Sequence, residues 1–320
     1  MSSRAASRIF GSTLFALACA PVGETRAPSP PAASSAPAAA SAPAVKKGFQ
    51  PAQTIFMSSI PITVTPRAAG LVTASASDAE FARSLRVRIQ VNNGYKTLGE
   101  LSRRTSVPLV NGVFQLSDLS HLDARDAPTK GDQKSSFVID YDESRFAAAA
   151  AELARKESTP SPTAIAAFAD HYIDQKTFEH SFDVASRVAV THAGDCTEHA
   201  VFTTALLRRF GFKARVVLGV VLIGVTAKNA EPTVLAFGHA WVERYEDKHW
   251  HIVDTALAPP APQDGAGGRG GLPPGTTLKL AYLPINVLKD ESASYARTLM
   301  DEVGVDSVLG VEVDASDQAP

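Results

Sequence analysis

Between residues 85 and 91 the chain alternates strictly, and Leu85, Val87, Ile89 and Val91 fall on one face of an extended strand. Ile60 to Val64 is a shorter apolar run. Val107 to Leu116 is broken by Pro108 and by the Asn111-Gly112 turn signal, and Phe137 to Tyr141 is a further short strand. The pattern over 49–142 therefore predicts a small antiparallel β-rich domain. It then changes period. Residues 143–157 are Ala-rich and helical, and Ser161-Pro162 opens a second helix through Ala164, Phe168 and Tyr172, with Pro in the first turn. From Ser292 a last helix is expected, giving 291–320 a helix and an acidic, fraying tail.

The most regular segment starts at Gly194-Asp195-Cys196-Thr197-Glu198. Asp195 followed by Glu198 ahead of an apolar run is a capping-box pattern, which sets Asp195 as N-cap and Cys196 as the first helical residue. The helix runs to Phe210 and stops at Gly211. Ala214 to Val225 is a continuous β-branched run, as in a strand buried on both faces. Phe237 to Tyr245 and His249 to Asp254 form a hairpin about a short turn. A turn of even length sets His239 directly opposite Asp254, and an odd one shifts the pairing by a residue. Opposed side chains lie about 5 Å apart at Cβ, so the imidazole and carboxylate can hydrogen-bond.

Composition changes the picture in three places. The 31 Lys and Arg against 33 Asp and Glu leave no basic surplus, so a nucleic-acid partner is not expected. No stretch has the ~18 apolar residues of a membrane span. Residues 1–19 nevertheless have the form of an export leader: Arg4 and Arg8, then a short apolar stretch from Ile9, then small residues. The run Leu14 to Cys19 resembles a bacterial lipoprotein signal, which implies lipidation at Cys19; an ordinary secretory leader is the alternative. Residues 20–48 are dominated by Ala, Pro and Ser, as in a tether with no core. The expected location is thus the periplasm or cell envelope, with a lipid anchor.

The chain has two cysteines, Cys19 and Cys196. With Cys19 removed or acylated, Cys196 has no intramolecular partner, and a thiol kept in an oxidising compartment points to reactivity. A helix N-terminus lowers a thiol pKa from its free value of ~8.5, and the free backbone N–H of Cys196 can stabilise an oxyanion. A nucleophilic cysteine, a histidine base and an orienting carboxylate then follow in order as Cys196, His239 and Asp254. His192, Cys196, His199 and His239 form a weaker alternative set for zinc. Gly194 interrupts the helix between the first two and no standard zinc spacing is met, so no metal is assigned. His199 is expected as a hydrogen-bonded neighbour, Trp241 and Trp250 as core, and one of His249 and His251 as packed. The Gly- and Pro-rich stretch 259–275 lacks a phosphate-loop pattern.

Gly-Asp-Cys-Thr-Glu-His-Ala, Leu206-Leu207-Arg208, Gly211 to Val217, His239-Ala-Trp-Val-Glu243 and Trp250 to Thr255 together resemble the bacterial transglutaminase-like superfamily. The resemblance covers about 165–285. It implies an α+β, papain-like catalytic domain (143–290) with a helix packed on an antiparallel sheet. It also implies a Cys196–His239–Asp254 triad and amide hydrolysis or acyl transfer on a peptide or protein, without a cofactor. A non-catalytic envelope module that binds peptide or protein through the same fold is the other expectation.

Overall fold

The computed structural model describes residues 59–91, 101, 102, 105, 107–110, 113–121, 127–177, 182–227, 230–257, 276–288 and 308–317. The leader with Cys19, the tether, the Gly- and Pro-rich stretch and the helix expected from Ser292 lie outside them. Residues 49–320 form one compact unit, apart from 1–48.

The central sheet follows from the apolar run. Strand β7 (Lys213–Thr226) pairs antiparallel with β8 (Thr233–Glu246) on one side and with β10 (Thr277–Val287) on the other, and β9 (His249–Val253) closes the order β10-β7-β8-β9. One face of β7 is covered twice. Val216 and Leu218, with Ala240 and Val242, lie under the helices α3 (Ser144–Lys156), α4 (Pro162–Tyr172), α5 (Ala185–Thr191) and α6 (Cys196–Arg209). Val220 and Leu222, with Val234 and Ala236, pack instead against a second sheet. The opposite face carries Val217, Val221 and Ile223, also buried. Burial on both faces explains why β7 is apolar throughout rather than alternating.

The second sheet has the order β1-β11-β2-β4-β3, from β1 (Ile62–Val64), β2 (Leu85–Val91), β3 (Leu109–Val110), β4 (Val113–Ser117) and β11 (Val308–Ala315). Leu85, Val87 and Ile89 point inward as their alternation requires. On the outer face Arg86 and Arg88 reach Asp314 and Glu312 across the ladder.

Four expectations are corrected here. The segment 49–142 is not purely β: α1 (Pro66–Ala74), capped by Thr65, and α2 (Asp78–Ser84), capped by Ser77, lie between β1 and β2. Their Thr-Pro and Ser-x-x-Glu starts are ordinary N-terminal signals that the strand pattern overshadowed. This segment also shares its core with β7, β8 and β10, so the boundary expected near 142 cuts through one continuous hydrophobic core. Phe137 to Tyr141 is a bend, with Ile139 N–H on Ser136 Oγ, because only Val138 and Ile139 are buried there. Finally, the tail is no fraying end. β11 sits between β1, which it meets in parallel, and β2, with Val311, Val313 and Ala315 buried. Its acidic residues are the outward-facing half of a strand.

Val313→Asp, which buries a charge in this core, is expected to cost at least about 3 kcal/mol. Glu312→Gln, on the same strand but facing solvent, should stay within about 0.5 kcal/mol. Denaturant titration of the two variants checks the assignment of faces.

Candidate active site

The nucleophile candidate is placed by local rules. Asp195 accepts the Thr197 N–H at 2.8 Å, and Glu198 Oε2 accepts the Asp195 N–H at 3.0 Å, completing the reciprocal capping box at the start of α6. Such a cap contributes about 1 kcal/mol. Glu198 also accepts the Asp183 N–H through Oε1 and the Thr197 hydroxyl through Oε2. Burial, then the nearby Asp195 charge, raises Glu198 to about 7 against these hydrogen bonds. Gly194 precedes the cap at φ +157°, where an added Cβ would lie 2.2 Å from Glu198 Cβ. The residue before the box must therefore lack a side chain. Cys196 is a free, half-buried thiol.

His239 and Asp254 do meet, but not as directly opposed residues. Asp247 and Lys248 both take positive φ, 49° and 67°, which gives a two-residue hairpin turn. The ladder pairs Glu246 with His249 and Val242 with Val253, so the next rung would set Asp254 against Trp241. Asp254 lies just past the end of β9 and turns diagonally, with Oδ2 at 2.8 Å from His239 Nε2. The partner of His239 across the other ladder is Gly219. A Cβ there would come within 2.1 Å of the Leu283 carbonyl oxygen and 2.5 Å of Trp241 Cη2, so glycine lets β10 and the indole close over this position.

Asp254 is saturated by donors. Oδ2 also accepts the Tyr282 hydroxyl at 2.8 Å, and Oδ1 accepts the backbone N–H groups of Ala256 and Leu257 at 3.0 Å. Burial would raise this carboxyl, but the His239 charge and these hydrogen bonds outweigh it and hold it below its ordinary value. Burial would likewise lower His239. The Asp254 charge and hydrogen bond, with the Cys196 side chain beside the ring, instead raise it to about 10. Nε2 faces the carboxylate, while Nδ1 has no nitrogen or oxygen partner. The structure thus brings Cys196, His239 and Asp254 together, with the imidazole between thiol and carboxylate.

The remaining sequence candidates are accounted for individually. His192 lies in left-handed conformation at the end of α5, stacks on Tyr172 at 4.1 Å and donates Nδ1–H to the Tyr172 carbonyl. His199 is buried and hydrogen-bonded. Trp241 and Trp250 are buried, the latter under the Arg215 guanidinium, 3.8 Å from the ring centre. His249 and His251 are both exposed, because Trp250 takes the inward position. Tyr282 was missed. Its signal lay in Leu278, Leu280 and Tyr282, which alternate onto one face of β10.

A family model described as "Transglutaminase-like superfamily" matches residues 147–255. Among the solved structures that resemble the chain are two of low identity, a likeness and nothing more. One is a candidate cysteine protease from Cytophaga hutchinsonii, with 13% identity and a TM-score of 0.31 over 74% of this chain and 87% of that one. The other is the periplasmic domain of TgpA from Pseudomonas aeruginosa bound to ethylmercury, with 22% identity and a TM-score of 0.27 over 45% of this chain and 55% of that one. No curated protein matches.

The ion pair couples stability to pH. His239 is raised in the folded state, so its contribution is complete below the unfolded value of about 6.5 and is lost as pH rises through about 10. Asp254 is lowered, so its contribution is complete above about 3.9 and is lost as pH falls further. Melting temperatures should fall between roughly pH 7 and 10 in the wild type, and His239→Gln should flatten that slope.

Proposed function

We propose, for a chain whose residues 147–255 match the transglutaminase-like superfamily model, an extracytoplasmic cysteine-nucleophile enzyme that acts on amide bonds through an acyl-thioester. The observation that supports it most is the buried His239–Asp254 pair, 2.8 Å apart, with the Cys196 thiol at the imidazole.

The Cys196 proton rests on His239 before the attack, and the thiolate Sγ adds to the amide carbonyl carbon. Nε2 is committed to Asp254, so Nδ1 is the atom that takes the proton. The oxyanion of the tetrahedral intermediate is stabilised by the Cys196 backbone N–H at the first position of α6, where a helix has no carbonyl of its own to offer. Collapse expels the amine, which takes the proton from His239 and leaves the acyl group on sulfur. Water then attacks the thioester with His239 as base, releasing acid and thiol. An amine in place of water gives transamidation. Water is abundant outside the cytoplasm, so hydrolysis is the favoured outcome. Asp254 holds the ring orientation and balances the imidazolium charge. The substrate is a peptide or protein amide.

The leader supports export and Cys19 supports a lipid anchor. Cys19→Ser should move the protein from the detergent phase to the aqueous phase on partition.

The catalytic reading is tested by the pH dependence of Cys196 alkylation with iodoacetamide, wild type beside His239→Ala. Rapid labelling well below the ~8.5 of a free thiol, lost in the variant, is expected. Slow labelling that is indifferent to His239 overturns the triad and favours a binding module. Asp254→Asn should lower turnover of a peptide amide by about 100-fold or more, measured by product release.

A further inference from the structure

Two titratable side chains beside the triad have no part in the acyl transfer above. Strand β5 is only Gln175–Lys176 and pairs in parallel with β6 (Ala193–Gly194), Lys176 against Gly194. That strand pair leads straight into the cap and Cys196. Lys176 Nζ contacts Nε2 of His199, one turn into α6. His199 Nδ1 lies 3.1 Å from Thr255 Oγ1, which is 3.0 Å from Thr203 Oγ1. All three of these acceptor or relay residues are buried, and Thr255 directly follows Asp254.

The direction of the hydrogen bonds is fixed by chemistry. An ammonium only donates, so Nε2 accepts and the single ring proton sits on Nδ1, aimed at Thr255. His199 stays neutral: burial, then the Lys176 charge and that of His239, lower it to about 3 against the Asp254 charge. Lys176 faces Asp170 from α4, Asp195 and Cys196 from the start of α6, and Asp254 beyond β9; burial lowers it and these four negative groups oppose that.

Building on Cys196 as nucleophile, we infer that Lys176 and His199 are positioning residues for the triad. Their chain to Thr255 ties the strand pair ahead of Cys196 to the residue behind Asp254, and it holds a positive charge near the sulfur. Without Lys176, the imidazole proton is free to move to Nε2, and Thr255 loses its donor. The attraction that favours the Cys196 thiolate is lost as well.

The experiment is iodoacetamide labelling of the full chain from roughly pH 5 to 9, read at the Cys196 peptide by mass spectrometry. It compares wild type, His239→Ala, Lys176→Met, His199→Asn and His199→Gln, with melting temperatures alongside. Lys176→Met is expected to shift the acid limb of the profile to higher pH and slow labelling at neutral pH about tenfold, with little change in melting. The Asn amide can replace Nδ1–H toward Thr255 and the Gln amide cannot, so His199→Asn should label several-fold faster than His199→Gln. A Lys176→Met profile that overlays the wild type, while His239→Ala still abolishes labelling, overturns the inference and leaves the triad standing. A wild type indifferent to His239 overturns the triad itself. If Lys176→Met does not fold, the His199 pair decides, and equal labelling of the two overturns the chain.

Discussion

A carboxylate and an imidazolium can share the interior of a protein only if the lone pairs of the acid are answered and the charges offset each other. The surroundings of Asp254 are arranged around that requirement. Its four acceptor positions are taken by His239, Tyr282 and two consecutive backbone N–H groups. The contacts come from three separate pieces of chain: the middle of β8, the middle of β10, and the turn after β9. Each must hold its register for the others to be satisfied. Gly219 and Gly194 serve the same end, one by admitting the indole and β10 close to His239, the other by leaving room for the cap ahead of Cys196.

Other parts of the protein tolerate more. Arg86–Asp314 and Arg88–Glu312 lie on a solvated sheet face, where side-chain entropy and screening leave little net energy. Arg215–Glu243 is a different kind of pair: both side chains are almost wholly buried, with 2% and 3% exposed, and the guanidinium rests on Trp250. Removing one partner would strand the other away from water, so the pair constrains the far end of β7 and β8.

What could be foreseen from the chain was whatever local physics dictates. The cap at Asp195, the Pro-initiated α4, the antiparallel pairing of β3 with β4 and the long apolar β7 follow from neighbouring residues alone. The proximity of His239 and Asp254 also followed from their hairpin, although the turn falls at Asp247-Lys248, one residue later than a direct pairing requires, and leaves a diagonal contact in place of the expected direct one. Contacts made over long sequence separations were hidden. Tyr282 approaches Asp254 only because β10 pairs with β7. Lys176 approaches His199 through a strand pair two residues long, too short for any pattern to announce. The place of β11 was hidden for the same reason: its alternating acidic residues suit a polar tail as well as a strand until its neighbours are known.

That strand has a consequence for how the molecule comes into being. β11 lies between β1 and β2, and Thr65 Oγ1 donates to Asp314 Oδ1 across 249 residues of sequence. During synthesis, β1 and β2 therefore emerge long before the segment that joins them, and their inner apolar faces must wait. The second sheet, and the half of the β7–β8 face that rests on it, cannot be completed until residue 315 has been made. In a chain built in this order the inner faces of β1 and β2 stay open until β11 has emerged, and the second sheet is then acquired as a whole.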